Sequence, residues 1–86
     1  MITLYTKDSC PYCDGAKALL KSWGEEYTEV HLDNPGARDF MIAEGHKTVP
    51  QIYYNNKLLV EGGYTGLSKL SLNELQEKKR VITESN

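Results

Sequence analysis

Four short runs of the chain are rich in strand-forming residues or alternate between hydrophobic and polar positions, and this pattern predicts β-strands. The first run places Ile2 and Leu4 on one face. Asn55-Asn56 separates the last two runs, and this pair predicts a turn because Asn tolerates the left-handed backbone region. We expect the strands at 2–6, 26–32, 51–54 and 57–61.

Two segments between these strands carry helical signals. Residues 11–23 have apolar side chains three and four positions apart, which predicts a helix with one buried stripe. Gly24 follows as a C-terminal cap. A second helix is predicted over 35–44, with Asn34 as its N-cap and Pro35 at its first position.

The C-terminal segment follows Gly62-Gly63, which ends the fourth strand. Its leucines do not share one narrow helical face, so we expect a helical turn near 66–70 and then a helix over 71–79. Ser71 and Glu74 have the spacing of a capping box at the start of that helix. Residues 83–86 are expected to fray.

The resulting order, β-α-β-α-β-β-α, predicts an α/β fold in which helices flank a small four-stranded mixed sheet. The first two strands are expected to be parallel, since a helix connects them. A chain of 86 residues allows one domain, 1–86.

The composition is that of an ordinary globular protein, with 40% hydrophobic residues and a net charge of −2. It favours neither a nucleic-acid surface nor a membrane surface. The first residues lack the basic start and apolar stretch of a signal peptide, so we expect a cytoplasmic protein. We also expect a monomer. In that reducing compartment, a cysteine pair is more often catalytic or metal-binding than structural.

The two cysteines form a Cys10-Pro11-Tyr12-Cys13 motif at the start of the first predicted helix. Residues three apart on a helix share a face, so the two thiols can form and break a disulfide without unfolding. Pro11 suits the first helical position, which makes Cys10 the N-cap, where free N–H groups stabilise a thiolate. Lys7 adds a positive charge nearby. This predicts thiol–disulfide exchange in which Cys10 attacks and Cys13 resolves the mixed disulfide.

Two other interpretations of the cysteines are weaker. A structural disulfide over so short a loop constrains the unfolded chain little. A zinc site needs more ligands, and the spacing of His31 and His46 does not match a zinc finger. His31 is instead expected as an exposed strand residue, and we expect no bound metal.

Three motifs, in order, resemble the dithiol glutaredoxins, and the similarity runs over about residues 2–70. They are 5–13 with the following Ala16-Lys17-Ala18-Leu19-Leu20, then Thr48-Val49-Pro50-Gln51-Ile52, and then Gly62-Gly63-Tyr64. The resemblance implies a thioredoxin-like fold and a cis bond before Pro50. It also implies a glutathione-binding groove formed by Lys7, Tyr12, Thr48, Val49, Pro50, Gly63, Tyr64 and Thr65.

The sequence departs from the family pattern at both ends of that groove. Thr65-Gly66 stands where glutaredoxins usually have one or two acidic residues, which receive the glutathione ammonium group. Ala37 falls where a Gln or Arg often contacts glutathione, with Arg38 one residue away. Lys47 is a further candidate partner for a carboxylate.

The resemblance therefore implies a glutathione-dependent oxidoreductase that reduces protein disulfides and glutathione mixed disulfides, with glutathione as co-substrate. One alternative is a dedicated electron carrier, for example to ribonucleotide reductase, recharged by a thioredoxin reductase. Another is an iron–sulfur cluster-binding module held through Cys10 and glutathione, against which Pro11 argues, since cluster-binding members usually carry other residues there.

Overall fold

A computed structural model describes residues 1–84 of the chain. Within them, the elements are β1 (Ile2–Thr6), α1 (Pro11–Ser22), β2 (Tyr27–His31), α2 (Ala37–Ala43), β3 (Gln51–Tyr54), β4 (Lys57–Val60), α3 (Gly63–Ser68) and α4 (Leu72–Glu84). The four predicted strands and the first helix lie within one or two residues of their expected bounds.

The strands form one mixed sheet in the order β2-β1-β3-β4. β1 pairs with β2 in parallel, as expected for strands joined by a helix, and with β3 antiparallel. β3 and β4 form a hairpin whose turn residues, Asn55 and Asn56, have φ values of +50° and +67°. The expected α/β fold and four-stranded mixed sheet are confirmed.

The core lies between the sheet and the helices that cover it. Alternate residues of β1 are buried, and α1 contributes the inner side of its predicted stripe. The fully buried hydrophobic side chains include Ile2, Leu4, Ala16, Leu20, Ile52, Leu67 and Leu75. This packing holds α1 against the sheet and fixes the position of its N-terminus just after β1.

α2 begins later than the sequence predicts. The Ala37 N–H donates to the Asn34 carbonyl oxygen at 3.1 Å, and Gly36, with φ +81°, occupies the N-cap position without a side-chain cap. Asn34 and Pro35 therefore form a turn before the helix, and the prediction that they cap and open it is wrong. Pro is favoured in tight turns as well as in a first helical turn, because its ring fixes φ near −65° and both conformations need that value.

The C-terminal helices confirm the predicted capping box but differ from the prediction in where α3 begins and where α4 ends. Ser71 Oγ accepts from the Glu74 N–H at 3.1 Å, and Glu74 Oε1 accepts from the Ser71 N–H at 3.0 Å, which is the predicted capping box. The preceding turn is a helix that starts earlier, at Gly63.

α4 also continues beyond the predicted end at residue 79. Arg80 bonds to Glu77 and Glu84 along its exposed face, so the expectation that residues 83 and 84 fray is wrong, and 85–86 lie outside the described residues. Within the described part of the chain, no helix is both long enough and apolar enough to cross a membrane.

Candidate active site

Cys10 occupies the N-cap of α1, as predicted. Its backbone is extended, with φ −117° and ψ 97°, and Pro11 takes the first helical position. The Cys13 N–H donates to Cys10 Sγ at 3.1 Å. The sulfur of Cys10 therefore lies on the free N–H groups of the helix end, where negative charge on a thiolate is stabilised.

Cys10 and Cys13 are joined by a disulfide, with their Cα atoms 5.2 Å apart. That separation lies inside the range that disulfides require. Cys10 is 7% exposed and Cys13 is 1% exposed, so Cys10 is the more accessible sulfur. This order of exposure agrees with an attacking Cys10 and a resolving Cys13.

The loop before β3 lies directly beside the cysteines. The Val49–Pro50 peptide bond is cis, as the family resemblance implied. Cys10 Sγ lies 3.9 Å from the Val49 carbonyl oxygen. The exposed Thr48 stands at the edge of this loop, and its carbonyl oxygen accepts from Gln51 Nε2 at 3.0 Å. A substrate disulfide bound to Cys10 would thus meet the backbone of this loop.

The glycine motif packs against the same loop. Gly63 has φ +58°, and a Cβ atom there would lie 2.7 Å from the Pro50 carbonyl oxygen. Glycine is therefore required at this position both for the backbone conformation and for the close approach of the two segments. The contact brings the start of α3 to the side of Pro50.

Two tyrosines form the side of the site that α1 and α3 share. The rings of Tyr12 and Tyr64 are 6.0 Å apart, and Tyr12 is 63% exposed. Tyr64 lies on Gly15, where a Cβ atom would come within 2.9 Å of its ring. The glycine thus lets α3 approach α1 closely, and the aromatic pair borders the surface in front of the cysteines.

The Thr48-Val49 loop also lines a cleft of about 310 Å³. We call it the basic cleft, because its lining includes three cations and no acidic side chain. The lining residues are Lys7, Leu32, Arg38, Met41, Ile42, His46, Lys47, Thr48 and Val49. Of the two candidates at the start of α2, Arg38 lines this cleft, whereas Ala37 is buried, with 6% exposure.

The sequence did not indicate the contacts that hold His46 at the cleft. His46 Nε2 lies 2.7 Å from Tyr53 Oη, and the Tyr53 hydroxyl donates to Glu44 Oε1 at 3.2 Å. Burial, together with the negative charge of Glu44, raises the pKa of Tyr53 to about 12. Because Tyr53 lies in β3, whereas Glu44 and His46 lie at the end of α2 and in the loop after it, no local spacing in the sequence identified this chain of hydrogen bonds.

His31 is half-buried rather than exposed as predicted, because its ring contacts the loop that leads to the cysteines and the turn after β2. Its Nε2 is 3.0 Å from Asp8 Oδ1, and its Nδ1 is 3.4 Å from Asp33 Oδ2. These are also the three described residues whose ligand atoms lie close enough together to hold a cation. The imidazole and the carboxylates pair with one another, so we assign them a structural role.

The family model described as Glutaredoxin matches residues 2–59. The chain belongs to the glutaredoxin family. Glutaredoxin 3 of Escherichia coli (strain K12) is 48% identical over 54 residues, which cover 60% of this glutaredoxin and 65% of the relative. Glutaredoxin-1 of Gallus gallus is 36% identical over 75 residues, covering 80% of this chain and 71% of that one.

The fold of this glutaredoxin also matches solved structures. The crystal structure of the holo form of glutaredoxin C1 from Populus tremula x tremuloides gives a TM-score of 0.71 at 27% identity. The match covers 92% of this chain and 75% of the poplar chain. The thioredoxin-like fold that the resemblance implied is therefore confirmed.

Proposed function

We propose that this chain is a thiol–disulfide oxidoreductase that uses Cys10 and Cys13 to reduce protein disulfides and glutathione mixed disulfides. The observation that carries the proposal is the position of Cys10, whose sulfur accepts the Cys13 N–H at the helix N-terminus while remaining the more exposed of the pair. Membership of the glutaredoxin family supports it, and glutaredoxins generally use glutathione.

The reaction begins from the dithiol form. The Cys10 thiolate attacks one sulfur of the substrate disulfide, the substrate S–S bond breaks, and the departing thiolate takes a proton. A mixed disulfide then joins Cys10 to the substrate. The Cys13 thiolate attacks Cys10 Sγ and releases the second substrate thiol, which leaves the Cys10–Cys13 disulfide. Two molecules of glutathione return the pair to the dithiol form and become glutathione disulfide.

The helix end supplies the electrostatic part of this chemistry. The N–H groups at the start of α1 stabilise negative charge on Cys10 both when it attacks and when it leaves. The Val49 carbonyl oxygen borders the sulfur, so an incoming disulfide approaches along the Thr48-Val49 backbone. An extended substrate could pair with that backbone as an added strand.

We propose that glutathione binds across the cysteines, between the basic cleft and the start of α3. Lys7 lines the basic cleft together with Thr48 and Val49, which suits the attraction of a carboxylate. The remaining groove residues are Tyr12, Pro50, Gly63, Tyr64 and Thr65. Thr65 can accept a hydrogen bond from an ammonium group but has no charge with which to attract it.

A second candidate function is a dedicated electron carrier recharged by a thioredoxin reductase, with ribonucleotide reductase as one possible acceptor. The observation that favours it is the neutral Thr65-Gly66 pair, since a weaker grip on glutathione would leave recharging to a protein. In either case we propose that the chain acts as a monomer in the cytoplasm, on disulfide-containing proteins. The cysteine pair, buried at a helix end and suited to exchange, supports a reducing compartment.

A coupled assay with NADPH tests both candidates on a small glutathione mixed disulfide and on a protein disulfide. The recharging system is either glutathione with glutathione reductase, or thioredoxin reductase alone. Turnover with glutathione supports the first function, turnover only with thioredoxin reductase supports the second, and no turnover in either system contradicts both.

Single cysteine variants test the two roles. We expect Cys10→Ser to abolish turnover of every disulfide, because no accessible nucleophile remains. Cys13→Ser should still reduce a glutathione mixed disulfide, which needs one thiol, but lose reduction of the protein disulfide, which needs two. The reverse pattern would show that the roles of the two cysteines are exchanged.

A further inference from the structure

Lys7-Asp8-Ser9 is the loop that joins the end of β1 to the helix that carries the cysteines. Thr6, before the loop, is fully buried in the sheet, and Cys10, after it, is the N-cap of α1. All three residues of the loop are exposed. The backbone that leads into Cys10 therefore lies on the surface, where the hydrophobic core does not hold it directly.

The backbone of this loop is strained at Ser9, which has φ +54°. Residues with a side chain avoid this left-handed region unless the surrounding structure holds them there. Ser9 immediately precedes Cys10, so relaxation of its backbone would turn the N-cap residue relative to the helix. A contact that holds the loop is thus needed to keep Cys10 Sγ on the N–H groups of α1.

His31 provides such a contact from the neighbouring strand. Its Nε2 lies 3.0 Å from Asp8 Oδ1, and within residues 1–84 this is the only side-chain hydrogen bond or ion pair that the loop makes. The sheet brings the two residues together. His31 is opposite Thr6 in the parallel pairing of β1 with β2, and the Leu32 N–H donates to the Thr6 carbonyl oxygen at 2.9 Å.

The ring of His31 is oriented so that its Nε2 donates. The Asp33 N–H donates to Nδ1 at 3.2 Å, so in the neutral ring Nδ1 is the acceptor and Nε2 carries the proton. In the charged ring, the Nδ1 proton faces Asp33 Oδ2, which lies 3.4 Å away. Nε2 therefore donates to the Asp8 carboxylate in both protonation states, and the contact does not depend on the charge of the ring.

The contact matters most when the cysteines are reduced. In the disulfide form, the covalent bond to Cys13 itself holds Cys10 Sγ at the helix end. That bond is absent in the dithiol form, which is the form that attacks a substrate. The position of the attacking sulfur then depends on the backbone of the loop, and hence on the bond between Asp8 and His31.

We propose that His31 is a positioning residue for the attack by Cys10. Through its hydrogen bond to Asp8, it holds the turn at Ser9 and thereby keeps the Cys10 thiolate on the N–H groups of α1. The proposal rests on the proposed function and adds to it a residue that does not touch the substrate. Loss of the bond should lower the reactivity of Cys10 while leaving the nucleophile in place.

Alkylation of the pre-reduced protein with iodoacetamide measures the reactivity of Cys10 without a disulfide substrate. The rate is followed from acid to alkaline pH, and peptide mass spectrometry identifies the alkylated cysteine. The wild type is compared with His31→Leu, which loses the donor, and with His31→Gln, whose amide nitrogen can take the place of Nε2. Both variants are uncharged at this position, and the charges of Lys7, Asp8 and Asp14 around Cys10 are the same in both.

We expect His31→Leu to react about threefold more slowly than the wild type at pH 7, because a thiolate displaced from the helix end is less stabilised. Its alkylation midpoint should lie at higher pH. His31→Gln should keep the wild-type rate, as should the control Thr28→Leu, at an exposed position of the same strand.

The outcomes separate this proposal from the proposed function. An unchanged rate in His31→Leu, or equal losses in His31→Leu and His31→Gln, would overturn the positioning role and leave the proposed function intact. A wild-type midpoint at about 8.5, that of an ordinary thiol, would contradict the activated Cys10 on which the proposed function rests.

A second pair of variants tests the same bond from the loop and does not require His31→Leu to fold. Asp8→Asn and Asp8→Ala remove the same charge from a largely exposed side chain, but only Asp8→Asn keeps an oxygen that accepts from Nε2. We expect Asp8→Ala to be alkylated about threefold more slowly than Asp8→Asn. Adding His31→Leu to Asp8→Ala should cause no further loss, because the bond is already absent. Equal rates in the two Asp8 variants would overturn the proposal.

Discussion

At Gly66, a side chain has no room. A Cβ atom there would overlap the Glu61 carbonyl oxygen and come within 3.1 Å of Val60 Cγ1. The Thr65-Gly66 pair, which replaces the acidic residues of the family, therefore contains one constrained and one unconstrained position. Gly66 is fixed by the packing of α3 on the end of β4, whereas Thr65 is exposed and free to carry a charge.

Thr65→Asp is therefore the substitution that tests the missing charge. We expect it to lower the apparent KM for glutathione about fivefold, because a carboxylate there would form a charge-assisted bond with the ammonium group. The measurement is the glutathione dependence of turnover with a mixed disulfide. Ser68→Asp, which is exposed three residues further along α3, is the control. An unchanged KM in Thr65→Asp would show that the ammonium group is bound elsewhere.

Among the elements, those with local signals were predicted and those that begin at a left-handed glycine were not. Alternation identified β1, and the reciprocal Ser71–Glu74 spacing identified the start of α4. α2 and α3 both begin after a glycine with positive φ, Gly36 or Gly62, and neither has a side-chain cap. Capping side chains therefore placed the start of α2 incorrectly, and α3 offered no such signal.

The residues of the site also fall into those that a sequence signal identified and those whose positions depend on packing between elements. The positions of Cys10 and Cys13 follow from helix geometry alone, and the three family motifs indicated the neighbouring loops. The choice of Arg38 over Ala37 depends on the rotation of α2 about its axis, which the sheet determines through contacts such as Phe40 with Tyr5. The position of His46 depends on Tyr53, which is seven residues away and on another element.

α4 is attached to the rest of the fold by a polar contact as well as by Leu75. Glu25, which is 11% exposed, accepts from Lys79 Nζ at 2.6 Å and from Gln76 Nε2 at 2.9 Å. Lys79 also lies 5.4 Å from the centre of the Tyr54 ring. Burial raises the pKa of Glu25, but the bonds from Lys79 and Gln76 outweigh it and hold the pKa below its usual value.

This contact predicts an acid-sensitive contribution to stability. A carboxyl with a lowered folded-state pKa stabilises the fold above its unfolded pKa, and that contribution is lost as the pH falls. Glu25→Gln should therefore reduce the free energy of unfolding by about 1–2 kcal/mol at pH 7, and by less at pH 3. Urea unfolding at both pH values measures it, with the neighbouring exposed Glu26→Gln as control. A difference in unfolding free energy between Glu25→Gln and the wild type that grows as the pH falls would contradict this prediction.

For the whole molecule, we expect stability at high pH to depend on Tyr53, which links α2 to the sheet. Tyr53 is 2% exposed, and its ring lies 5.4 Å from Phe40 and 5.6 Å from Tyr5, so it joins α2 to the centre of the sheet. Its hydroxyl bonds to Glu44 and to His46, of which His46 lines the basic cleft. Ionising this tyrosine would place a negative charge in a buried aromatic cluster next to a carboxylate.

Burial and Glu44 raise the pKa of Tyr53 from its ordinary value of 10.0 to about 12. A raised folded-state pKa means that the stabilisation is complete below pH 10 and is lost as the pH rises through 12. Tyr53→Phe cannot ionise there, so it should be about 1 kcal/mol less stable than the wild type at pH 8, through lost hydrogen bonds. That deficit should shrink or reverse by pH 11. Urea unfolding followed by Trp23 fluorescence measures it, with the exposed Tyr12→Phe as control. If Tyr53→Phe loses stability between pH 10 and 11 as steeply as the wild type, another group governs the alkaline limit.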